Sequence, residues 1–303
     1  MSKRFCITVV IFLAVVLVVL VWQVLRPRES EPIYKGKTLS QWEAEKKPTD
    51  FDPSISTPAI DALRQMGTNA LPYLIQDLRS KDALFWRKLP RSAYSLRLII
   101  RIRLMCGPPA WERQDRAIYF LKALGSMAKP AIPALSECLD RPEIAEQSAD
   151  ILGHYDSIGR VGLGTEATPP LLKAMTNGNA SVRRIAANAL GLLKTKPDLV
   201  VPALIHALKD PSPEVRSMAA RSFGGYKTEA ASIVPALIDT LDDTDSYVRQ
   251  GTLWMLGMYG GRASASVPKL LFLLKDPDFQ VRKEATNALK LIDPEAAAKA
   301  GLQ

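Results

Sequence analysis

The chain has 303 residues, 47% of them hydrophobic, and a formal net charge of +9 at pH 7. This length is enough for one large domain or two small ones. Three cysteines do not make a disulfide framework. Cys106 and Cys138 could pair in an oxidising compartment, but nothing in the sequence requires it, and two buried thiols are the expected state.

An uncharged run of 20 residues, CITVVIFLAVVLVVLVWQVL, follows a short tail formed by residues 1–5. The run, residues 6–25, matches the roughly 20 residues that cross a bilayer as a helix. We therefore expect a transmembrane anchor. The alternative is a cleaved signal peptide, but no small-x-small cleavage site follows. Positive charges flank both sides of the run and do not fix its orientation. Because large C-terminal domains are translocated, we expect the rest of the chain outside the cytoplasm.

Residues 26–55 are predicted to form a juxtamembrane linker with one short helix. Within it, Thr38 and Gln41 have the spacing of a capping box, in which two side chains satisfy each other's backbone N–H groups at a helix start. Trp42 follows directly.

Residues 56–160 contain weakly regular pairs of helical segments. Thr57 and Pro58 have the residue types of an N-cap and a first helical position, and this helix is expected to end at Gly67. A later stretch has the same layout with Gly125 as its stop, and EIAEQSADILGHY completes a shortened unit. We expect these to be divergent repeats that extend a solenoid back to about residue 56.

A basic insertion lies among these divergent segments. Residues 79–122 hold eleven basic and three acidic residues, and Phe85, Trp86 and Tyr94 are interleaved with the basic ones. One hypothesis is an anion-binding surface for nucleic acid or acidic lipid, with DNA disfavoured outside the cytoplasm. The alternative is a solvated face of an insertion between repeats. The residues expected to bind anions are Arg87, Lys88, Arg91, Arg101 and Arg103.

A fixed period of 33 residues organises the C-terminal half. Four columns keep this step over four copies, and a period of 20 to 50 residues indicates a solenoid. The Val-Arg column consists of Val182-Arg183, Val215-Arg216, Val248-Arg249 and Val281-Arg282. The turn column consists of Asn177, Asp210, Asp243 and Asp276.

Each copy is predicted to form two helices. A proline opens the first helix, where its missing N–H is not needed, and the aspartate of the turn column is expected to cap the second helix. In the second helix of one copy, Val215, Ala219 and Phe223 lie on one face at helical spacing, which predicts a buried stripe. A glycine recurs near the end of this helix in three copies, at Gly191, Gly224 and Gly257.

The pattern Pro-x-Leu-x-x-x-Leu, an aspartate-containing turn and Val-Arg-x-x-Ala resembles HEAT repeats. It is most similar to the short HEAT-like repeats first associated with phycobilisome lyases, over roughly residues 165–292. The linker stretch YKGKTLSQWEAEKK resembles a motif that precedes such repeats in membrane-anchored bacterial proteins. The resemblance implies a ladder of aspartates and arginines between neighbouring repeats. Its members are Asp210, Asp243, Asp276, Arg183, Arg216, Arg249 and Arg282, and Asn177 departs from it.

The expected fold is all-α: a right-handed α-solenoid of helix pairs behind one transmembrane helix. Residues 161–303 are assigned to four regular repeats and a C-terminal cap. The cap is expected to be a short helix with Asp293 as N-cap, Pro294 at its first position and Gly301 as its stop.

No catalytic, cofactor or metal site is predicted. His206 shares a column with Lys173, Asp239 and Phe272, which is typical of a solvent-facing position, and His154 is expected at the surface. The di-iron enzymes with HEAT-like repeats, the deoxyhypusine hydroxylases, use His-Glu motifs, and the sequence contains no His-Glu dipeptide. The glycines of GRVGLGTEATPP follow no predicted strand, so this stretch is interpreted as a linker rather than a phosphate loop.

Trp254 is the candidate protein-binding residue. Its column is otherwise polar, with Asn188, Arg221 and Asn287, so we expect it to face water on the concave side that second helices line in HEAT-like solenoids. Leu253 is expected to enlarge the apolar surface. Alternatively, Trp254 packs between second helices, against Arg221. Exposed tryptophan is enriched at binding hot spots.

The sequence therefore favours a non-catalytic, membrane-anchored scaffold that binds a protein partner, in a bacterial inner membrane. A lyase subunit or a HEAT-like DNA glycosylase is the enzymatic alternative, and an adaptor for anionic lipid or polyanion through residues 79–122 is the second. A lyase would need bilin and phycobiliprotein partners, and a glycosylase would need a soluble domain facing nucleic acid. No cofactor is implied. The sequence does not name the partner.

Overall fold

The computed structural model describes residues 30–44, 57–81, 109–153 and 163–302. The chain divides into two compact units, residues 1–123 and 124–303, and each is described by itself. The domain boundaries expected near residues 55 and 160 fall outside the described residues and stay predictions.

The first unit opens with a two-stranded antiparallel hairpin that leads into a short helix. Thr38 donates its backbone N–H to Oε1 of Gln41 at 2.8 Å, and Gln41 donates its own to Oγ1 of Thr38 at 3.3 Å, which confirms the predicted capping box. The hairpin itself was not predicted. The elements are β1 (Ile33–Tyr34), β2 (Lys37–Thr38), α1 (Leu39–Ala44), α2 (Pro58–Met66), α3 (Leu71–Arg79) and α4 (Ala110–Leu124).

A polar cluster around Arg116 joins α1, α3 and α4. Arg116 pairs with the carboxylate of Asp77 and donates to Oη of Tyr73 at 2.7 Å and to Oγ of Ser40 at 3.1 Å. Burial raises the pKa of Asp77 even though Arg116 opposes that shift. The cluster is a structural ion pair that ties three helices together.

The second unit consists of helix pairs. The first pair is α5 (Ile132–Cys138) with α6 (Ala145–Leu152), and Cys138 is buried, whereas Cys106 lies outside the described residues. Four pairs follow, and one short helix ends the unit. These are α7 (Thr168–Ala174) with α8 (Ala180–Leu193), α9 (Pro197–Ala207) with α10 (Pro213–Arg221), α11 (Ala230–Thr240) with α12 (Ser246–Tyr259), α13 (Val267–Leu273) with α14 (Phe279–Ile292), and α15 (Pro294–Lys299).

Several predicted helix ends are confirmed. Thr57 accepts the N–H of Ile60 at the start of α2, and Asp293 accepts the N–H of Ala296 at the start of α15. Gly67, Gly125 and Gly301 lie at positive φ just after helices, a conformation that glycine adopts without a steric penalty.

The expected caps of the second helices are corrected. The N-cap of α12 is Asp245 and that of α14 is Asp278, two residues after the predicted Asp243 and Asp276. In α10 the N-cap position is Ser212, not Asp210. The earlier aspartates accept the backbone N–H of the N-cap residue instead, as Asp243 does from Asp245 at 2.9 Å. They close the turn because their carboxylates also hold an arginine, as described below.

The second helices form the closely packed side of this unit. Successive second helices, from α6 to α14, pack more extensively on each other than successive first helices do. Small residues permit this approach. A Cβ at Gly191 on α8 would lie 2.6 Å from the carbonyl oxygen and 2.8 Å from Cα of Ser222, so only glycine fits there. The stripe predicted for this row is buried: Val182, Val215, Val248 and Val281 are each 0% exposed.

The fold is thus an all-α solenoid. The right-handed sense stays a prediction. In the described parts of the chain, no helix is long and apolar enough to cross a membrane, and the expected anchor, residues 6–25, lies outside them. The localisation expected from the sequence, a single-pass membrane protein, is corrected on this finding.

Candidate protein-binding groove and the arginine ladder

An ion-pair ladder links the helix pairs of the second unit. Arg183 on α8 donates from Nε and Nη2 to the two carboxylate oxygens of Asp210, at 2.7 and 2.8 Å. Arg249 on α12 does the same to Asp276, at 3.0 and 2.9 Å. The side chains of both pairs are mostly buried. Parallel bidentate bonds of this kind are the strongest geometry for an arginine–carboxylate pair.

The third guanidinium nitrogen fixes each arginine to its own repeat. Nη1 of Arg216 donates to the carbonyl oxygens of Asp210 at 2.9 Å and Pro211 at 3.2 Å. The same residue pairs through Nε and Nη2 with Asp243 in the next repeat. Each aspartate therefore accepts one arginine on its carboxylate and the next arginine on its backbone carbonyl, and the turns form one continuous network.

The electrostatics follow from this geometry. Burial raises the pKa of the Asp243 carboxyl, but the hydrogen bonds from Arg216 and from the N–H of Asp245 outweigh it, so the pKa is lowered overall. Asp210 behaves in the same way with Arg183 and Ser212. Both carboxylates are charged at neutral pH.

The departure at Asn177 has a structural reason. Its Nδ2 donates to the carbonyl oxygen of Leu139 in the preceding helix pair at 2.8 Å, while its Oδ1 accepts the N–H of Asn179 at 2.9 Å. The neighbouring pair presents an acceptor at this point rather than an arginine. A carboxylate could not donate to that carbonyl, whereas an amide does.

A tyrosine column escaped the sequence analysis. Tyr226 donates its hydroxyl to the carbonyl oxygen of Leu190 at 2.8 Å, and Tyr259, 33 residues later, donates to the carbonyl oxygen of Phe223 at 3.1 Å. Both rings are buried, and burial raises the pKa of Tyr226 to about 12. The hydroxyls satisfy carbonyls near the end of the preceding second helix. The 33-residue spacing was the signal that could have revealed this role.

The candidate binding site is a groove between α12 and α14, with a volume of about 400 Å³. Trp254 is 45% exposed at this groove, and Leu291, also on its wall, is 63% exposed. Met258, one turn after Trp254, is 38% exposed. The groove is lined by Leu253, Trp254, Gly257, Glu284, Asn287, Ala288, Lys290 and Leu291.

The whole Trp254 column is exposed: Asn188, Arg221 and Asn287 face water as Trp254 does. Arg221 lies along α12, because a Cβ at Gly251 would come within 3.1 Å of its Nε. The expected contribution of Leu253 to the exposed surface is wrong. This side chain borders the groove but is 0% exposed, since it points into the packing between second helices.

Other candidate residues divide between the surface and the undescribed segments. His206 is exposed, as are Lys173, Asp239 and Phe272 of its column. Within the described ranges, no three His, Cys, Asp or Glu residues are grouped to hold a metal. His154 and the residues expected to bind anions lie outside the described residues: Arg87, Lys88, Arg91, Arg101 and Arg103.

The helix pairs and their ladder define an α-solenoid of two-helix repeats. The family model for HEAT repeats matches residues 168–234 and 234–300, so this part of the chain is built from HEAT repeats. This confirms the family expected from the sequence. The narrower likeness to repeats of phycobilisome lyases has no such support and stays a prediction.

The chain is similar to several solved structures. A mutant of Kap121p is 16% identical with a TM-score of 0.52 over 84% of this chain and 29% of that chain. An engineered protein is 24% identical, with a TM-score of 0.45, over 63% of this chain and 93% of its own. A designed armadillo repeat protein in complex with the peptide (KR)4 is 17% identical, with a TM-score of 0.46, over 74% of this chain and 99% of its own. No curated protein matches the chain.

Proposed function

We propose that this protein is a non-catalytic scaffold that binds a protein partner along the row of second helices, the side expected to be concave. The observation that carries the proposal is the exposure of Trp254 at the groove between α12 and α14. Exposed apolar surface is costly unless it is used, and tryptophan is the residue most enriched among binding hot spots.

The position of Trp254 favours binding over a structural role. The arginine and tyrosine columns, whose hydrogen bonds and ion pairs join neighbouring helix pairs, lie elsewhere on the helices. The groove-forming contacts, by contrast, leave Trp254 and Leu291 open to solvent. An apolar side chain of a partner inserted between them would bury both.

The charges along the row of second helices indicate the charge of the partner. One turn before the Trp254 column lie Arg184 and Lys283, and Arg221 belongs to the column itself. The described second helices from α8 to α14 carry only Glu214 and Glu284 as acidic residues. This distribution favours a partner segment with acidic residues beside its apolar anchor.

The test is photo-crosslinking in the cells that produce the protein. A photo-reactive amino acid replaces Trp254 in the full chain, and the matched control carries it at Tyr247, an aromatic residue on the same helix that is 69% exposed away from the groove. We expect a discrete protein adduct from position 254 and not from position 247. Equal adducts at both positions, or none at 254, would contradict the proposal.

The enzymatic alternative, a lyase subunit or a HEAT-like DNA glycosylase, gains no support from the described residues. The adaptor for anionic lipid or polyanion rests on residues 79–122, of which 82–108 are not described, and it stays a prediction.

A further inference from the structure

The last guanidinium of the ladder is oriented like the others. Nη1 of Arg282, on α14, donates to the carbonyl oxygens of Asp276 at 2.7 Å and Pro277 at 3.0 Å. These are the same two anchors that Arg216 finds on Asp210 and Pro211. A guanidinium is planar and rigid, so two fixed bonds at one nitrogen also fix the direction of the other two.

The remaining edge of Arg282 is not engaged by any described residue. In Arg183, Arg216 and Arg249, the Nε and Nη2 groups grip an aspartate carboxylate of the following repeat. The carboxylate of Asp276, in the same repeat as Arg282, is already held by Arg249. Among the described residues, Arg282 is therefore the ladder arginine whose preoriented fork has no carboxylate partner.

An exposed aromatic ring accompanies this fork. The ring of Phe279 lies 5.6 Å from Cζ of Arg282 and the residue is 64% exposed. Phe272, in the preceding helix α13, is also exposed, at 77%. No other copy of the repeat has an aromatic residue in either column: the equivalents are Lys173, His206 and Asp239 for Phe272, and Ala180, Pro213 and Ser246 for Phe279. The aromatic residues occur only in the repeat whose fork is open.

We propose that Arg282 and Phe279 form a second docking site, which binds an acidic turn of a partner protein. A partner aspartate or glutamate would fill the Nε and Nη2 edge, as the ladder aspartates do within the chain, and an adjacent apolar side chain would cover the ring of Phe279. Charge complementarity assigns the carboxylate, because a guanidinium fork matches a carboxylate in a bidentate way. This site is separate from the Trp254 groove and does not depend on it.

The test is selection of random 12-residue peptides displayed against the full chain, followed by fluorescence anisotropy of the recovered peptides on variants. We expect a group of peptides with an aspartate or glutamate beside an apolar residue. Their affinity should fall at least tenfold with Arg282→Gln, with Arg282→Lys, which keeps the charge but not the fork, and with Phe279→Ala. Replacing the peptide carboxylate by its amide should have the same effect, and Trp254→Ala should have none.

Circular dichroism of each variant shows whether the fold is retained, and an Arg282→Gln chain that melts like the wild type keeps the comparison valid. If that variant unfolds, the test rests on the wild-type chain alone, through the affinities of the carboxylate and amide forms of each peptide. The proposal would be overturned by peptides that bind Arg282→Gln as tightly as the wild type, or whose amide forms bind the wild type as tightly as their carboxylate forms. It would also be overturned if no recovered peptide depended on Arg282. Self-association that is lost with Arg282→Gln would show that a second copy of this chain fills the site, which would contradict the proposed partner protein.

Discussion

Arg216 grips Asp243 through two parallel hydrogen bonds, Nε to Oδ2 at 2.7 Å and Nη2 to Oδ1 at 2.8 Å, although the residues lie 27 positions apart. This pair shows what the 33-residue repetition encodes. Each repeat presents an arginine to the next and an aspartate to the one before, so every internal repeat is held on both sides by the same chemistry.

Arg216→Ala should therefore destabilise the solenoid. It leaves the mostly buried carboxylate of Asp243 without its two arginine donors, at a cost of roughly 1–3 kcal/mol. The measurement is the free energy of unfolding in urea. Arg282→Ala is the matched control: it loses the same kind of backbone bonds but no carboxylate pair, and its loss should be clearly smaller. Equal losses in both variants would mean that the aspartate adds nothing to stability.

The ladder also predicts how stability depends on pH. The folded pKa values of Asp210 and Asp243 are lower than those of unfolded aspartates, about 3.9, so the folded state binds fewer protons. The stabilisation is fully present above the unfolded pKa and is lost as pH falls through the folded values. Urea midpoints of the wild type should drop below about pH 4, and Asp243→Asn should flatten that drop. An unchanged slope in Asp243→Asn would contradict the account.

The tyrosine column makes a prediction at the other end of the pH scale. The folded pKa of Tyr226 is raised to about 12, because burial disfavours the phenolate. Its contribution is complete below the unfolded pKa of about 10 and is lost as pH rises through the folded value. Absorbance at 295 nm should show a tyrosine that ionises only above about pH 11 in the wild type and is missing in Tyr226→Phe. If the absorbance curves of the wild type and Tyr226→Phe match above about pH 11, the prediction is wrong.

Close packing of the second helices can be tested at Gly191. Gly191→Ala places a Cβ 2.6 Å from the carbonyl oxygen of Ser222, so α8 and α10 must move apart, at a cost of roughly 1–3 kcal/mol. Gly178→Ala is the control, since an added Cβ there meets nothing within 4 Å. Calorimetric melting of the two variants should differ by several degrees. Matching melting temperatures would show that the helices yield without cost.

Much of this structure was predictable because repetition separates constrained positions from free ones. The helix pairs, the buried valines, and the caps at Thr57 and Asp293 follow from local residue types. The N-caps were misplaced by two residues because Asp243 and its equivalents have two possible roles, and the choice depends on an arginine 27 positions away. Packing between repeats also buries Leu253. The sequence did not reveal this, because the neighbouring column, that of Trp254, is otherwise polar.

The sequence predicted only part of the groove, because some of its residues come together only when helices pack. The exposure of Trp254 could be inferred from its polar column, Asn188, Arg221 and Asn287. The contribution of Leu291 could not, because a lone leucine near a helix end has no distinctive pattern, and it joins Trp254 only when α14 packs beside α12. The orientation of the Arg282 guanidinium likewise could not be predicted from the sequence, because it depends on two hydrogen bonds to backbone carbonyls.

The most direct test of the binding proposal compares stability with affinity in Trp254→Ala. The partner is the protein that crosslinks to position 254, and its affinity for the full chain is measured by calorimetry. Because Trp254 is 45% exposed, we expect the free energy of unfolding to change by less than about 1 kcal/mol. The binding free energy should fall by about 2 kcal/mol or more, roughly a thirtyfold loss of affinity. Tyr247→Ala should change neither quantity. A Trp254→Ala protein that loses roughly 3–5 kcal/mol of stability would contradict the account, because that is the cost of removing a buried tryptophan.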